Sequence, residues 1–201
     1  MRSFDSKPFF QRLLRPLAAT LARRGVTANQ VTAAAMVVSA VAGAIVAAVP
    51  DPRTALLAVP VALGVRLVCN HIDGLIAREH GSQSRLGAIL NEQNDVFCDA
   101  VLYLPLAGVP GVPGALVVVA VLLGVVAEMT GVLATTIGAD RRTDGPMSKK
   151  PRGLVVAGLC LALAAGAEPG AWTAAVLAAM IALLVVTVLR RTYAAVREAT
   201  S

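Results

Sequence analysis

Long apolar runs, separated by short polar or basic segments, restrict this chain to a lipid environment. A helix that crosses the hydrocarbon core needs about 20 predominantly apolar residues, and runs approaching or exceeding that length recur between Ala28 and Leu189. Of the 201 residues, 57% are apolar and 15% charged, whereas a soluble domain carries about a quarter charged residues. The expected fold is all-α: an integral membrane bundle of six transmembrane helices preceded by an amphipathic interfacial helix, with residues 1–201 forming a single domain.

The interfacial helix is expected over 4–24. Phe10, Leu13, Leu14, Leu17 and Leu21 recur at helical spacing, while Lys7, Arg12, Arg15, Arg23 and Arg24 occupy other faces, a pattern suited to the headgroup layer. The amphipathic flank is long and a run of spanning length follows it, which argues against a cleaved signal peptide. The spans, together covering 28–189, are read at roughly 28–49, 54–77, 85–107, 115–138, 153–167 and 171–189. Thr27 and Gln30 form a capping-box pattern at the first start, and Asp51-Pro52 closes that span. Pro110 to Gly114 and Glu168-Pro169-Gly170 read as turns, and Asp140 to Arg152 as a basic loop. The fifth span is the shortest.

The basic residues are one-sided. The N-terminal cluster, Arg78, Arg85, the Arg141–Arg152 loop, Arg190, Arg191 and Arg197 fall on one face of a six-span bundle, and the opposite loops hold only Arg53. Positive charge marks cytoplasmic loops, so both termini are expected in the cytoplasm of a multi-pass protein of the cell (inner) membrane. The net charge of +6 does not indicate nucleic acid, because aromatics are only 3% and no stacking platform accompanies the charge. Cys69, Cys98 and Cys160 fall inside the spans without metal-like spacing and read as small buried hydrophobes.

Polar groups inside a bilayer are costly and mark functional positions. They concentrate in Asn70-His71-Ile72-Asp73-Gly74-Leu75-Ile76-Ala77-Arg78, followed by Gly87, Asn91, Asp95 and Asp99. Arg66, Asn70, Asp73 and Ala77 share one helical face, and Gly87, Asn91, Asp95 and Asp99 drift slowly around another. A short connection makes the two helices antiparallel neighbours, so the polar faces can meet. The oxygen donors gathered there suit Mg²⁺ or Mn²⁺, and Gly74 and Gly87 allow a ligand close to the backbone. Interhelical hydrogen bonding is the plainer reading for a lone Asn or Asp; so many facing donors favour a ligand site. Arg66 and Glu128, at similar depth, are expected to pair with each other, since an unpaired buried charge is expensive. His71 reads as packed or interfacial. Asp99 reads either as a support for the site or as a helix–helix hydrogen bond.

At these residues the sequence resembles the CDP-alcohol phosphatidyltransferase family, whose motif is D-x-x-D-G-x-x-A-R, about eight residues, then G-x-x-x-D-x-x-x-D. The chain matches at Asp73, Gly74, Ala77, Arg78, Gly87 and Asp95. Asn29-Gln30-Val31-Thr32 is similar to the family's N-x-x-T at the start of its first span, and the family architecture of six spans after an interfacial helix covers nearly the whole chain. The chain departs from the motif at Asn70 and Asn91, which stand where the first and third aspartates are expected.

The resemblance implies an enzyme that moves a phosphatidyl-type group from a CDP-lipid, such as CDP-diacylglycerol, to an alcohol in phospholipid biosynthesis, with release of CMP. It implies Asp95 as general base, Asp73, Asp95, Asn70 and Asn91 around Mg²⁺ or Mn²⁺, and Asp73, Gly74, Ala77, Arg78 and Gly87 around the CDP group. Lys149, Lys150 and Arg152 are candidates for an anionic acceptor, and a homodimer is expected. The two asparagines put the two-metal arrangement in question and motivate an alternative, a CDP-lipid-binding scaffold with weak or no turnover. An ion-coupled transporter is a further alternative, but no inverted repeat or broken helix supports it.

Overall fold

The computed structural model describes residues 7–49, 51–81 and 83–200, and the described residues form helices joined by short connections. The helices are α1 (Lys7–Arg23), α2 (Ala28–Ala48), α3 (Pro52–Leu56), α4 (Ala58–Glu79), α5 (Arg85–Tyr103), α6 (Gly114–Leu133), α7 (Lys149–Ala164) and α8 (Ala171–Ala199). Residues 4–6 of the expected interfacial helix, and the side chains of Lys7 and Phe10, lie outside the described residues.

Local chemistry sets the helix ends. Thr27 accepts from the Gln30 amide at 3.3 Å while the Gln30 side chain accepts from the Thr27 amide at 2.9 Å, closing the capping box that opens α2. Asp51 accepts from the Arg53 amide and the Thr54 hydroxyl and starts α3, with Pro52 at the first helical position. The expected second span is therefore two pieces, broken at Leu57. Single 3₁₀ turns, Leu104–Gly108 and Ala134–Ile137, finish the third and fourth expected segments.

Two boundaries depart from expectation. Lys149 to Arg152, read as loop, are the opening turn of α7; Pro151 is tolerated there because first-turn amides have no intrahelical acceptor. α8 runs ten residues beyond the expected 189, to Ala199. Charge at Arg190 and Arg191 ended the apolar run, but Ala, Arg and Glu continue a helix readily in water. At 1.5 Å per residue α8 is about 44 Å long, longer than the hydrocarbon core of about 30 Å.

Within the bundle, α2 packs on α4 and α5, α6 on α8, and α7 on α3 and α4. At Gly43 a Cβ would strike the Val101 carbonyl oxygen, so glycine permits the close approach of α2 to α5. The main core joins Leu56 and Val59 to Leu102, Val121, Leu159 and Leu184. A second cluster seats Leu14 and Ala18 of α1 on Val31, Ile72, Leu75 and Ile76, and Arg15 bridges to Glu79 at 2.8 Å.

Among the described residues, four segments are long and apolar enough to cross a membrane: Ala28–Ala48, Arg53–Glu79, Gly114–Ile137 and Ala171–Ala199. Outward-facing Val37, Val61, Leu122, Leu154 and Leu189 are all exposed, an apolar exterior that water would not tolerate on this scale.

Candidate active site

Two clefts flank α4, the first towards its Arg78 end and the second along its first half. The first, of about 690 Å³, lies between α2, α4 and α5 and is lined by Asn29, Thr32, Asp73, Gly74, Ala77, Arg78, Ser84, Gly87 and Asn91, among others. Ser84 caps α5 by accepting from the Gly87 amide at 2.9 Å, and Asn29 donates to the same hydroxyl at 3.3 Å. A Cβ at Gly87 would lie 2.7 Å from Asn29 Oδ1, and one at Gly74 would lie 3.0 Å from an Arg78 guanidinium nitrogen. Bare backbone at both positions keeps this floor low. Asp73 is buried and accepts from the Thr32 hydroxyl at 2.9 Å, so α2 contributes a side chain that orients Asp73, from the segment Asn29–Thr32.

The second cleft, of about 390 Å³, lies between α4 and α7. Arg66, Asn70, His71, Lys149 and Lys150 line it together with apolar Leu63, Leu67 and Leu154. The polar face of α4 is therefore divided: Asp73 and Ala77 look into the first cleft, and Arg66 and Asn70 into the second.

Between and behind the clefts runs a buried chain of alternating charge. Lys149 and Arg66 both contact Asp95 Oδ1, Arg66 at 3.3 Å. Arg66 also pairs with Asp99, and Arg152 holds the other Asp99 oxygen at 2.6 Å. Arg152 continues to Glu128 at 3.2 Å, and Glu128 to Arg191 at 3.7 Å. The expected Arg66–Glu128 pair is thus not formed. Each residue has a nearer partner of opposite charge, because Asp99 turns into the bundle beside Arg66 and Arg152 reaches Glu128 from α7. Arg152, a candidate for acceptor contact, is 1% exposed and committed to Asp99 and Glu128.

The remaining expected residues divide similarly. Asn91 lines the first cleft, whereas the Asn70 amide oxygen accepts from Asn94 at 3.3 Å. Asp95 lies one turn further along α5 than Asn91, behind the residues that line the two clefts. His71 Nδ1 is hydrogen-bonded with the Leu67 carbonyl oxygen at 2.7 Å, one helical turn back. Cys69, Cys98 and Cys160 are free thiols.

Asn94 and Arg191 escape a sequence reading. Asn94 is fully buried and also accepts from the Cys98 thiol at 3.0 Å. Its signal was its place one turn before Cys98 and three residues from Asn91. Arg191 resembles an ordinary positive flank, although its four-residue spacing from Thr187 and Ala195, both buried, marks the inward face.

The donor chemistry fits a divalent cation. Asp73 and Asp95 carboxylates with Asn70 and Asn91 amide oxygens are all hard ligands of the kind Mg²⁺ and Mn²⁺ accept. Among the described residues no group of three or more His, Cys, Asp and Glu side chains is placed to hold a metal by itself, so amide and substrate oxygens are needed to complete a shell.

Fold and site together define an apolar helical bundle that opens a carboxylate- and arginine-bearing polar cleft at one end. Residues 25–196 match the CDP-alcohol phosphatidyltransferase family, and the chain belongs to that family of enzymes. Inner membrane protein YnbA of Escherichia coli (strain K12) is 40% identical over 155 residues, 77% of either chain. The crystal structure of Mycobacterium tuberculosis phosphatidylinositol phosphate synthase (PgsA1) with CDP-DAG bound superposes with TM-score 0.72 at 21% identity, covering 94% of both chains. The same synthase in complex with manganese and citrate gives TM-score 0.74 at 21% identity, over 90% of this chain and 87% of that one. At that identity the likeness concerns the fold.

Proposed function

We propose that the protein transfers a phosphatidyl-type group from a CDP-lipid, such as CDP-diacylglycerol, to an alcohol acceptor with release of CMP. The observation that carries this reading is the convergence of Asp73, Gly74, Ala77, Arg78, Gly87 and Asn91 on one cleft in a chain of this family. CDP-DAG and manganese in the two synthase structures of like fold support it.

In this reading Gly74, Ala77 and Gly87 shape the floor on which the CDP group lies, and Arg78 faces its phosphates. Asp73, oriented by Thr32, and Asp95 would hold one Mg²⁺ or Mn²⁺ with the amide oxygen of Asn91, joined by that of Asn70 if it leaves Asn94 and turns from the second cleft. When bound, that cation supplies charge neutralisation for the diphosphate and the departing CMP. Asp95 removes the proton of the acceptor hydroxyl as its oxygen attacks the lipid-linked phosphorus. The new phosphorus–oxygen bond forms as the bond to CMP breaks. Lys149 and Lys150 face the cleft from which an acceptor would approach, and Arg152 supports Asp99 from behind.

The membrane arrangement belongs to the same reading. α5 and α7 join the four longer segments as the third and fifth of six spans, and α1 lies in the headgroup layer with Leu13 and Leu17 exposed. Both termini face the cytoplasm from a cell inner membrane, in keeping with the name of the Escherichia coli relative. The enzyme works in phospholipid biosynthesis as a homodimer.

Candidate acceptors are glycerol 3-phosphate, inositol phosphate, serine, glycerol and the headgroup of another lipid. Incubating the purified protein with labelled CDP-diacylglycerol, Mn²⁺ and each acceptor, then identifying lipids by mass spectrometry, tests the proposal. One acceptor should yield a labelled phospholipid in step with CMP; CDP-lipid binding without product from any acceptor would instead favour the scaffold.

A further inference from the structure

Asp95 already has a cation on it. The Lys149 ammonium and the Arg66 guanidinium both meet its Oδ1, so a divalent ion that takes Asp95 as a ligand meets a carboxylate already neutralised. The two cations are not equivalent. The Arg66 side chain is 4% exposed and is anchored on its other side by Asp99, so moving it would leave a buried carboxylate short of a partner, a costly change. The Lys149 side chain is 33% exposed and has, among the contacts described, no second anchor of that kind. It sits at the first position of α7, where rotation about side-chain bonds can swing the ammonium without moving the helix.

There is also a place for it to go. Lys149 lines the α4–α7 cleft beside Asn70 and Lys150. With Asn at 70 and 91, Asp73 and Asp95 are the motif positions that retain carboxylates, so an ammonium on Asp95 removes much of the attraction left for a divalent ion.

We propose that Lys149 and a divalent cation are alternative occupants of the Asp95 carboxylate, and that loading the cation releases Lys149 into the α4–α7 cleft. The inference rests on the metal-dependent reading above and adds an order to it. The empty site is held closed by an internal ammonium. The cation, arriving with the diphosphate of the donor, displaces that ammonium. The freed Lys149 then turns its donors towards an acceptor in the second cleft, favouring an acceptor that carries negative charge.

Mn²⁺ titration of the nucleotide-free protein, followed by calorimetry and by the paramagnetic resonance of free Mn²⁺, tests this without recourse to activity. Lys149→Met should bind Mn²⁺ about tenfold more tightly than the unmodified protein, the size expected when a close charge pair stops competing. Lys149→Arg, which keeps the charge, should return affinity to within a few-fold of the original, and Lys150→Met should leave it unchanged. Thermal unfolding confirms that each variant is folded, and Lys149→Gln provides a second neutral variant if the methionine is not. Equal affinity in the neutral variants and the unmodified protein, or the same gain from Lys150→Met, overturns the proposal while leaving the transferase reading intact. Absence of Mn²⁺ binding to every variant, even with CMP present, overturns both.

Discussion

Asn70 and Asn91 keep an oxygen donor where the family motif carries a carboxylate, and they remove the charge. In the proposed function a hard cation would still find ligands there, but the empty site would attract it weakly. The donor diphosphate would then supply much of the missing charge, and linkage would make the resulting cooperativity reciprocal. Calorimetry should therefore find little Mg²⁺ or Mn²⁺ binding to the empty protein and clear binding once CMP or CDP-lipid is present. Asn70→Asp combined with Asn91→Asp should tighten binding to the empty site, and indifference to that pair would remove both residues from the metal. Asp99 belongs to a different class of residue. It holds Arg66 and Arg152 together, so Asp99→Asn removes one of the two carboxylates that each buried guanidinium meets, leaving Arg66 on Asp95 and Arg152 on Glu128. A loss of about 3–5 kcal/mol is expected, visible as a lower melting temperature in detergent; an unchanged melting temperature would show that the charged chain is not structural. At this scale the motif residues were legible because their spacing is fixed by helical geometry. The ion-pair partners were not: helical spacing gives the face of Arg66 but not which of Asp99 and Glu128 lies opposite it, a matter of the rotation of α5 and α6.

Helix contacts supply the second level of constraint. α2 meets α5 so closely at Gly43 that a methyl group would collide with the Val101 carbonyl. Gly43→Ala should destabilise the bundle by about 1–3 kcal/mol through overpacking. In contrast, Gly158→Ala on α7 has open space around the new Cβ and should be neutral or slightly stabilising; a comparable loss in both variants would mean that packing is not the cause. Gly87→Ala puts its Cβ against Asn29 and Ser84 in the first cleft. Weakening of CMP affinity by about tenfold is expected if that floor carries the nucleotide, read by titration, and unchanged affinity would move the nucleotide elsewhere. The capping box at Thr27 and the break at Asp51-Pro52 were legible because their signals are local; that Asp51 also caps α3 was not. The starts of α7 and the end of α8 were not, because hydropathy reports where lipid begins, whereas a helix continues past that point until its backbone groups are capped.

The whole molecule separates its basic residues from its opposite face. Arg53 pairs there with Glu168 at 2.9 Å, joining the start of α3 to the turn before α8, while the remaining Arg and Lys clusters lie at the other end of the six-span reading. Thr143, in the loop before α7, and Ala167, in the turn before α8, are both exposed. In a background lacking Cys69, Cys98 and Cys160, an impermeant thiol reagent applied to intact cells should label Ala167→Cys and spare Thr143→Cys, as the positive-inside rule requires. External labelling at Thr143→Cys would break the six-span topology. That the chain is an all-helical bundle was legible in the length of its apolar runs alone. The third and fifth segments were harder, since α5 carries Asn91, Glu92, Asp95 and Asp99, and α7 has only 16 residues.

In the proposed function the polar cleft turns over CDP-lipid with Asp95 as the base. The most direct test is CMP release from CDP-diacylglycerol in lipid nanodiscs, with Mn²⁺ and the acceptor panel, comparing the unmodified protein with Asp95→Asn. CMP should form with the unmodified protein, and the variant should lose roughly two orders of magnitude or more of that rate with CDP-lipid binding retained. Turnover in Asp95→Asn within a few-fold of the unmodified protein would contradict that role of Asp95.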